Sequence, residues 1–167
     1  MGTEYQHFQA GEATYPTSNF PQLQQINGTN FPLLVNSFDA ATKETLFFEF
    51  VPDNYSSGNL TLDLYWYADT ASANDVIWGA QIAAITPDSD TQNVETKSLA
   101  TANTVTDSHL GTTGQRLHKA TITISNLDSI AAGDVVKLAI YRDAAQAGDS
   151  MSGDAHLWRA RISYATP

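Results

Sequence analysis

The chain contains no cysteine. That excludes disulfides, thiolate zinc sites and a cysteine nucleophile. Cations are also scarce: 8 Lys+Arg stand against 18 Asp+Glu, a formal net charge of -10. A nucleic-acid-binding surface needs clustered cations to displace counterions, so no nucleic-acid partner is expected. No apolar run approaches the ~20 residues of a membrane-spanning helix, and no membrane partner is expected either. The segment Met1-Gly2-Thr3-Glu4-Tyr5-Gln6-His7 has neither a basic region nor an apolar core. It is not expected to act as a secretory signal, and synthesis in a cytoplasm follows. What remains is 167 residues, 42% of them hydrophobic. That length suits one domain able to bury roughly 70% of its unfolded surface.

The charge is unevenly placed. Residues 1–40 carry Glu4, Glu12 and Asp39 and no base, and residues 41–100 carry nine acids against Lys43 and Lys97. Residues 101–167 hold six acids and six bases. Such an asymmetry reads as a solvated acidic surface, or as subunits meeting acidic face to basic face.

From residue 44 onward the dominant period is two. Leu60-Thr61-Leu62-Asp63-Leu64-Tyr65-Trp66-Tyr67 puts Leu60, Leu62, Leu64 and Trp66 inward and Thr61, Asp63, Tyr65 and Tyr67 outward, as a half-buried strand requires. Leu46, Phe48 and Phe50 share a face, as do Ile122 and Ile124, and Val136, Leu138 and Ile140. Near the end, Trp158, Ala160, Ile162 and Tyr164 oppose Arg159, Arg161 and Ser163. The run Val76 to Ile85 contains Gly79 and is closed by Thr86-Pro87, so it is expected as a strand buried on both faces rather than a helix. In the polar stretch 86–116, Val94, Leu99 and Val105 mark one or two weak strands. Seven or eight strands separated by turns, with no amphipathic helix, predict an all-β fold: an antiparallel β-sandwich, expected as a jelly roll.

Residues 1–32 read differently. Pro16, Pro21 and Pro32 punctuate polar residues and scattered aromatics, with no sustained period. The reading is an extended N-terminal arm over 1–32 and a sandwich domain over 33–167. Tyr5, Phe8, Tyr15, Phe20 and Phe31 are too many aromatics for a solvated tail. They should pack on their own domain or across a neighbouring subunit, with Tyr5, Phe8, Tyr15 and Phe20 the candidate interface anchors.

Reactive chemistry is thinly signalled. His7, His109, His118 and His156 have no i, i+4 spacing and no G-x-S-x-G elbow beside them, and read as surface or strand-face residues. Glu44 and Glu49 point to opposite faces of one strand and cannot pair locally, and Asp63 reads as a solvated strand residue. Asp88-Ser89-Asp90 and Asp149…Asp154 lack the calcium-loop pattern and read as turn residues capping their own backbone. Gly111-Thr112-Thr113-Gly114 lacks the phosphate-loop lysine. No catalytic residue, metal or cofactor is expected. Tyr65 and Tyr67 flank the inward Trp66 and form a candidate aromatic platform for a glycan.

Asn59 to Ala68 leading into Asp75 to Ile85, then Ala132 to Ala144 and His156 to Tyr164, resemble in their order the small jelly-roll virion structural proteins of tailed bacteriophages. The resemblance covers about residues 44–164 and implies a non-enzymatic outer capsid decoration or cement protein. It would self-associate, as an expected trimer, and bridge major capsid or other virion proteins, located in the virion after synthesis in the host cytoplasm. The competing expectation is a receptor- or glycan-binding sandwich of a phage tail or fibre.

Overall fold

The structure, a computed structural model, describes residues 1–70 and 74–167. Its strands are β1 (Gly2–Gln9), β2 (Gln22–Asn27), β3 (Pro32–Phe38), β4 (Lys43–Phe50), β5 (Leu60–Tyr67), β6 (Asp75–Ile85), β7 (Asn103–Ser108), β8 (His118–Ile124), β9 (Val135–Asp143) and β10 (Ala155–Thr166). One 3-10 turn, Ala10–Glu12, follows β1. Among the described residues no helix is long and apolar enough to cross a membrane.

The strands form two antiparallel sheets. One runs β2-β3-β10-β5-β8 with β1 added on β10, and the other runs β4-β9-β6-β7. The pairs β3·β10, β4·β9, β5·β8 and β6·β7 are nested like one long hairpin wound up, alternate pairs falling in opposite sheets. This is the jelly roll that the strand spacing predicts. The period-two faces meet between the sheets: Leu60, Leu62, Leu64 and Trp66 of β5 face Trp78, Ile82, Leu138 and Ile140, all with no exposed surface. Trp78 is the hub, its ring 5.1 Å from Phe38 and 6.0 Å from Trp66.

Residues 1–32 are part of this sandwich and not a separate arm. β1 pairs with β10 over its whole length, Gly2 opposite Thr166 to Gln9 opposite Arg159, and β2 forms a hairpin with β3. The reason lies in β10, whose twelve residues outrun β3. β3 covers only Ala155 to Leu157, and β1 satisfies the rest of that edge. Phe8 enters the core, 6% exposed and stacked on Phe48 at 4.8 Å. The Tyr15 hydroxyl donates to Asn36 Oδ1 at 2.5 Å. Tyr5 and Phe20 stay largely exposed. Thus Phe8 and Tyr15, candidate interface anchors, are spent on their own chain.

The seven strands β4 to β10 match the seven or eight expected from residue 44 onward, and β1, β2 and β3 are added before them. Other expectations change. Val105 lies in β7, but Val94 lies in a turn and Leu99 in irregular backbone. His109, His118 and His156 are buried, and only His7 is exposed. All three buried rings pack on strand aromatics, His118 and His109 against Trp66 at 4.9 and 6.4 Å and His156 against Tyr67 at 4.9 Å.

Gly79 explains itself once β6 is paired. It sits opposite Tyr141, whose ring lies across it; a Cβ there would come within 2.1 Å of Tyr141 Cζ. Lys43 caps the same ring at 3.9 Å. Gly79→Ala should therefore lower stability by about 1–3 kcal/mol through overpacking, read from urea unfolding midpoints, while Gly58→Ala, with nothing within 4 Å, should lose only the cost of its positive φ.

Candidate functional site

The outer face of the six-stranded sheet carries the most organised chemistry. On β5 the residues facing away from the core are Thr61, Asp63, Tyr65 and Tyr67, as alternation predicts. On β10 alternation breaks. The register steps from Leu157 opposite Trp66 to Arg159 opposite Tyr65, so Trp158 is the extra residue of a β-bulge. The bulge turns Trp158 out of the core side, where a period of two had placed it, and onto the outer face beside Tyr65 and Arg159. Bulges commonly re-aim a side chain in this way. Here it sits where β3 ends and β1 begins along one edge of β10.

Two open clefts flank Trp158 and share it together with Leu117. The larger, about 570 Å³, is walled by the β2–β3 hairpin (Ile26, Asn27, Asn30, Phe31 and Leu33 among its residues) and by Tyr67, Asp69 and Gln115. The smaller, about 520 Å³, is bounded by His7, Tyr65 and Arg159. Together they make one trough across five elements, with Trp158 half-buried at its middle. Apolar rings and aliphatic groups form the floor, and the amide and carboxylate groups of Asn27, Asn30, Asp69 and Gln115 stand at one end.

A polar chain supports that end. Gln24 Nε2 donates to Ser37 Oγ at 2.8 Å, Ser37 Oγ meets His156 Nδ1 at 2.7 Å, His156 Nε2 meets Asp69 Oδ2 at 3.2 Å, and Gln115 Nε2 donates to Asp69 Oδ1 at 3.4 Å. The backbone N–H of Gln115 donates to the Ala68 carbonyl at 2.7 Å. The chain ties β2, β3, β10, the stretch after β5 and the β7–β8 loop together under the trough. Ser, His and Asp are all in it, yet the serine is buried while the Asp69 side chain is 66% exposed. The member that faces solvent is the carboxylate, so the set holds Asp69 in place and offers no nucleophile to the cleft. Tyr67 is buried, and burial, reinforced by the Asp69 charge, pushes its hydroxyl above its ordinary pKa.

Asp63 is not a solvated strand residue. Its side chain is 7% exposed. It accepts from Thr121 Oγ1 at 2.7 Å and from Arg161 Nη2 at 2.5 Å. Burial disfavours its charge, but the bonds from Thr121 and Arg161 outweigh burial and hold the carboxyl below its ordinary value. A carboxyl depressed on folding adds stability above its unfolded pKa, and that stability is lost as the pH falls through the folded value. Unfolding midpoints of the wild type should therefore drop from about pH 4 downward, and Asp63→Asn should flatten that slope.

Of the two platform candidates, Tyr65 is half-buried on the trough floor and Tyr67 contributes a cleft wall. Trp158, Phe31, Leu117, Ile26 and Leu33, the other apolar members, are not site residues in the sequence reading. Periodicity cannot show a bulge, and Phe31 lay in the supposed arm. Of the interface candidates, Tyr5 reaches this face through β1, its ring 4.9 Å from the Arg161 guanidinium; Phe8 points into the core. Among the described residues no three His, Asp or Glu side chains gather closely enough to hold a metal ion.

No family model matches the chain, and no curated protein matches it either. Solved structures do. The CBM36-1 domain of a multidomain xylanase from the hindgut metagenome of Trinervitermes trinervoides aligns over 98% of this chain and 100% of its own, with a TM-score of 0.51 at 11% identity. CBM35 from Cellvibrio japonicus Abf62 aligns over 98% and 99%, TM-score 0.53, 9% identity. The xylan-binding module CBM15 aligns over 99% of each, TM-score 0.50, 11% identity. At these identities the likeness establishes the β-sandwich fold. These solved structures that share its sandwich are carbohydrate-binding modules, and they overturn the expectation of a capsid decoration or cement protein.

Proposed function

We propose that this protein is a non-catalytic glycan-binding module whose site is the trough centred on Trp158. The observation that carries the reading is the β10 bulge, which spends the regularity of a central strand to put an indole on the outer face beside Tyr65. A sugar ring has an apolar C–H face and a rim of hydroxyls. The first stacks on an aromatic ring, and the second needs fixed donors and acceptors. The trough supplies both: Trp158, Tyr65 and Phe31 as surfaces, and Asp69, Gln115, Asn27 and Asn30 as partners. Each cleft falls within the ~300–1,000 Å³ range of ligand sites. The fold shared with carbohydrate-binding modules supports the same reading.

Binding of this kind needs little ordering. Tyr65 and Trp158 stand on strands held on both sides by backbone ladders, and Asp69 is fixed by His156 and Gln115. A preformed site loses less entropy on binding than a loop that must fold. A glycan microarray probed with the labelled wild-type protein tests the reading. Retention on a chemically related set of oligosaccharides is expected, and absence of retention across plant, algal, fungal and bacterial glycans would refute it.

A further inference from the structure

The placement of cations on this face points to the charge of the ligand. The chain has eight lysines and arginines. Lys43, Lys97, Lys137, Arg142 and Arg161 each meet a carboxylate, of Asp143, Asp128, Glu49, Asp149 and Asp63 respectively. Arg116, Lys119 and Arg159 have no ion-pair partner among the described residues, and all three are exposed. Lys119 and Arg159 occupy one row: Tyr65 of β5 is opposite Lys119 of β8 on one side and Arg159 of β10 on the other. Residues directly opposite in antiparallel strands have Cβ atoms about 4.5–5.5 Å apart. Tyr65 is therefore an aromatic plate with a cation on each edge, and Trp158 adjoins it. Arg116 lies in the β7–β8 loop whose Gln115 and Leu117 line the trough.

The charged neighbours sharpen the case. In the next row Asp63 is already taken by Arg161 and Thr121, though its field also reaches Lys119. The other carboxylate on the trough, Asp69, stands with Tyr67 and the hairpin in the larger cleft, whereas Arg159 and His7 border the smaller one. In a protein of net charge -10, leaving unpaired cations beside an aromatic plate is a local reversal of the overall field. A neutral sugar gains only ordinary hydrogen bonds to its hydroxyls from it, whereas a carboxylate or sulfate gains charge-assisted ones, which Arg makes in bidentate form.

We infer that the ligand is an acidic glycan, its anionic group held by Arg159 and Lys119 and its sugar ring stacked between Tyr65 and Trp158. This rests on the glycan-binding reading above and adds the ligand's charge. The test is titration calorimetry of the full chain at low salt with three oligosaccharide probes of equal length: an oligogalacturonate, its carboxyl-reduced neutral counterpart, and a sulfated galactan. One acidic probe should bind at least tenfold more tightly than the neutral one, and which of the two does so identifies carboxylate or sulfate as the anion. Arg159→Gln and Lys119→Gln should each reduce acidic binding about tenfold, and added salt should narrow the preference. Lys137→Gln, on the opposite sheet, should change nothing. Trp158→Ala should weaken all binding. Equal or tighter binding of the neutral probe would overturn the acidic ligand and leave a glycan site standing. If the wild type bound none of the three probes, and no glycan on the array, both readings would fail together.

Discussion

Replacing Trp158 with alanine should reduce glycan affinity by roughly 30- to 150-fold and lower folding stability by about 1–2 kcal/mol, leaving a folded protein. The magnitude follows from the area at stake. A tryptophan presents about 150–250 Å²; with the indole half-buried in the sandwich, about 100 Å² remains to be covered by a sugar. At about 25 cal/mol per Å² this gives about 2–3 kcal/mol, and each 1.4 kcal/mol is tenfold in affinity. The fold should persist because Trp158 is a bulge residue outside the core cluster, to which β10 contributes Ala155, Leu157, Ala160, Ile162 and Tyr164. Calorimetric titration beside urea unfolding separates the two effects. A Trp158→Ala protein that binds like the wild type would move the site away from this face.

Asp149→Ala should cost about 3–5 kcal/mol of folding stability, a large share of the ~5–15 kcal/mol typical of a domain. Both side chains of the Arg142–Asp149 pair are wholly buried. Arg142 Nε and Nη2 donate to the two Asp149 oxygens at 3.0 and 2.7 Å. The remaining donors reach the carbonyls of Gly153 at 2.8 Å, Met151 at 2.8 Å and Phe38 at 3.3 Å. One guanidinium thus fastens the β9–β10 connection to β3, and Asp149 Oδ2 also accepts the Ile77 N–H at 3.0 Å. Removing the carboxylate leaves a buried charge uncompensated, and this is the expensive case. Replacing both partners by apolar residues, Arg142→Met with Asp149→Leu, removes the uncompensated charge but should recover little of the loss, because the Ile77 N–H and the carbonyls of Phe38, Met151 and Gly153 lose their partners. Urea midpoints of the two variants beside the wild type test the argument.

Period two was enough to place β4, β5, β8 and β9 and to set Trp66 in the core, because alternation reports directly on which face is buried, while β6 was placed by Gly79 and the closing Thr86-Pro87. It failed at two kinds of place. A bulge adds one residue without any change in composition, so Trp158 was put on the wrong face, and with it the centre of the candidate site was lost. The segment 1–32 has alternation too short and too polar to register: Tyr5 and His7 face outward while Gln6 and Phe8 face the core side, and only Phe8 is buried. Its strand character comes from the unpaired edge of β10, a partner more than a hundred residues away. Long-range ion pairing was equally invisible. Asp149 read as a turn residue, and Asp63 as solvated, because neither Arg142 nor Arg161 can be matched to them until the strands are in register. Tyr65, by contrast, was found from alternation alone, since its face depends only on its own strand.

The most direct measurement is chemical-shift mapping of the wild-type protein during titration with a glycan it retains. The account predicts that backbone amides of Phe31, Tyr65, Tyr67, Gln115, Leu117, Trp158 and Arg159 shift together with one dissociation constant, while β4, β6, β7 and β9 stay unperturbed. Shifts centred on the four-stranded sheet, with the Trp158 region silent, would contradict it.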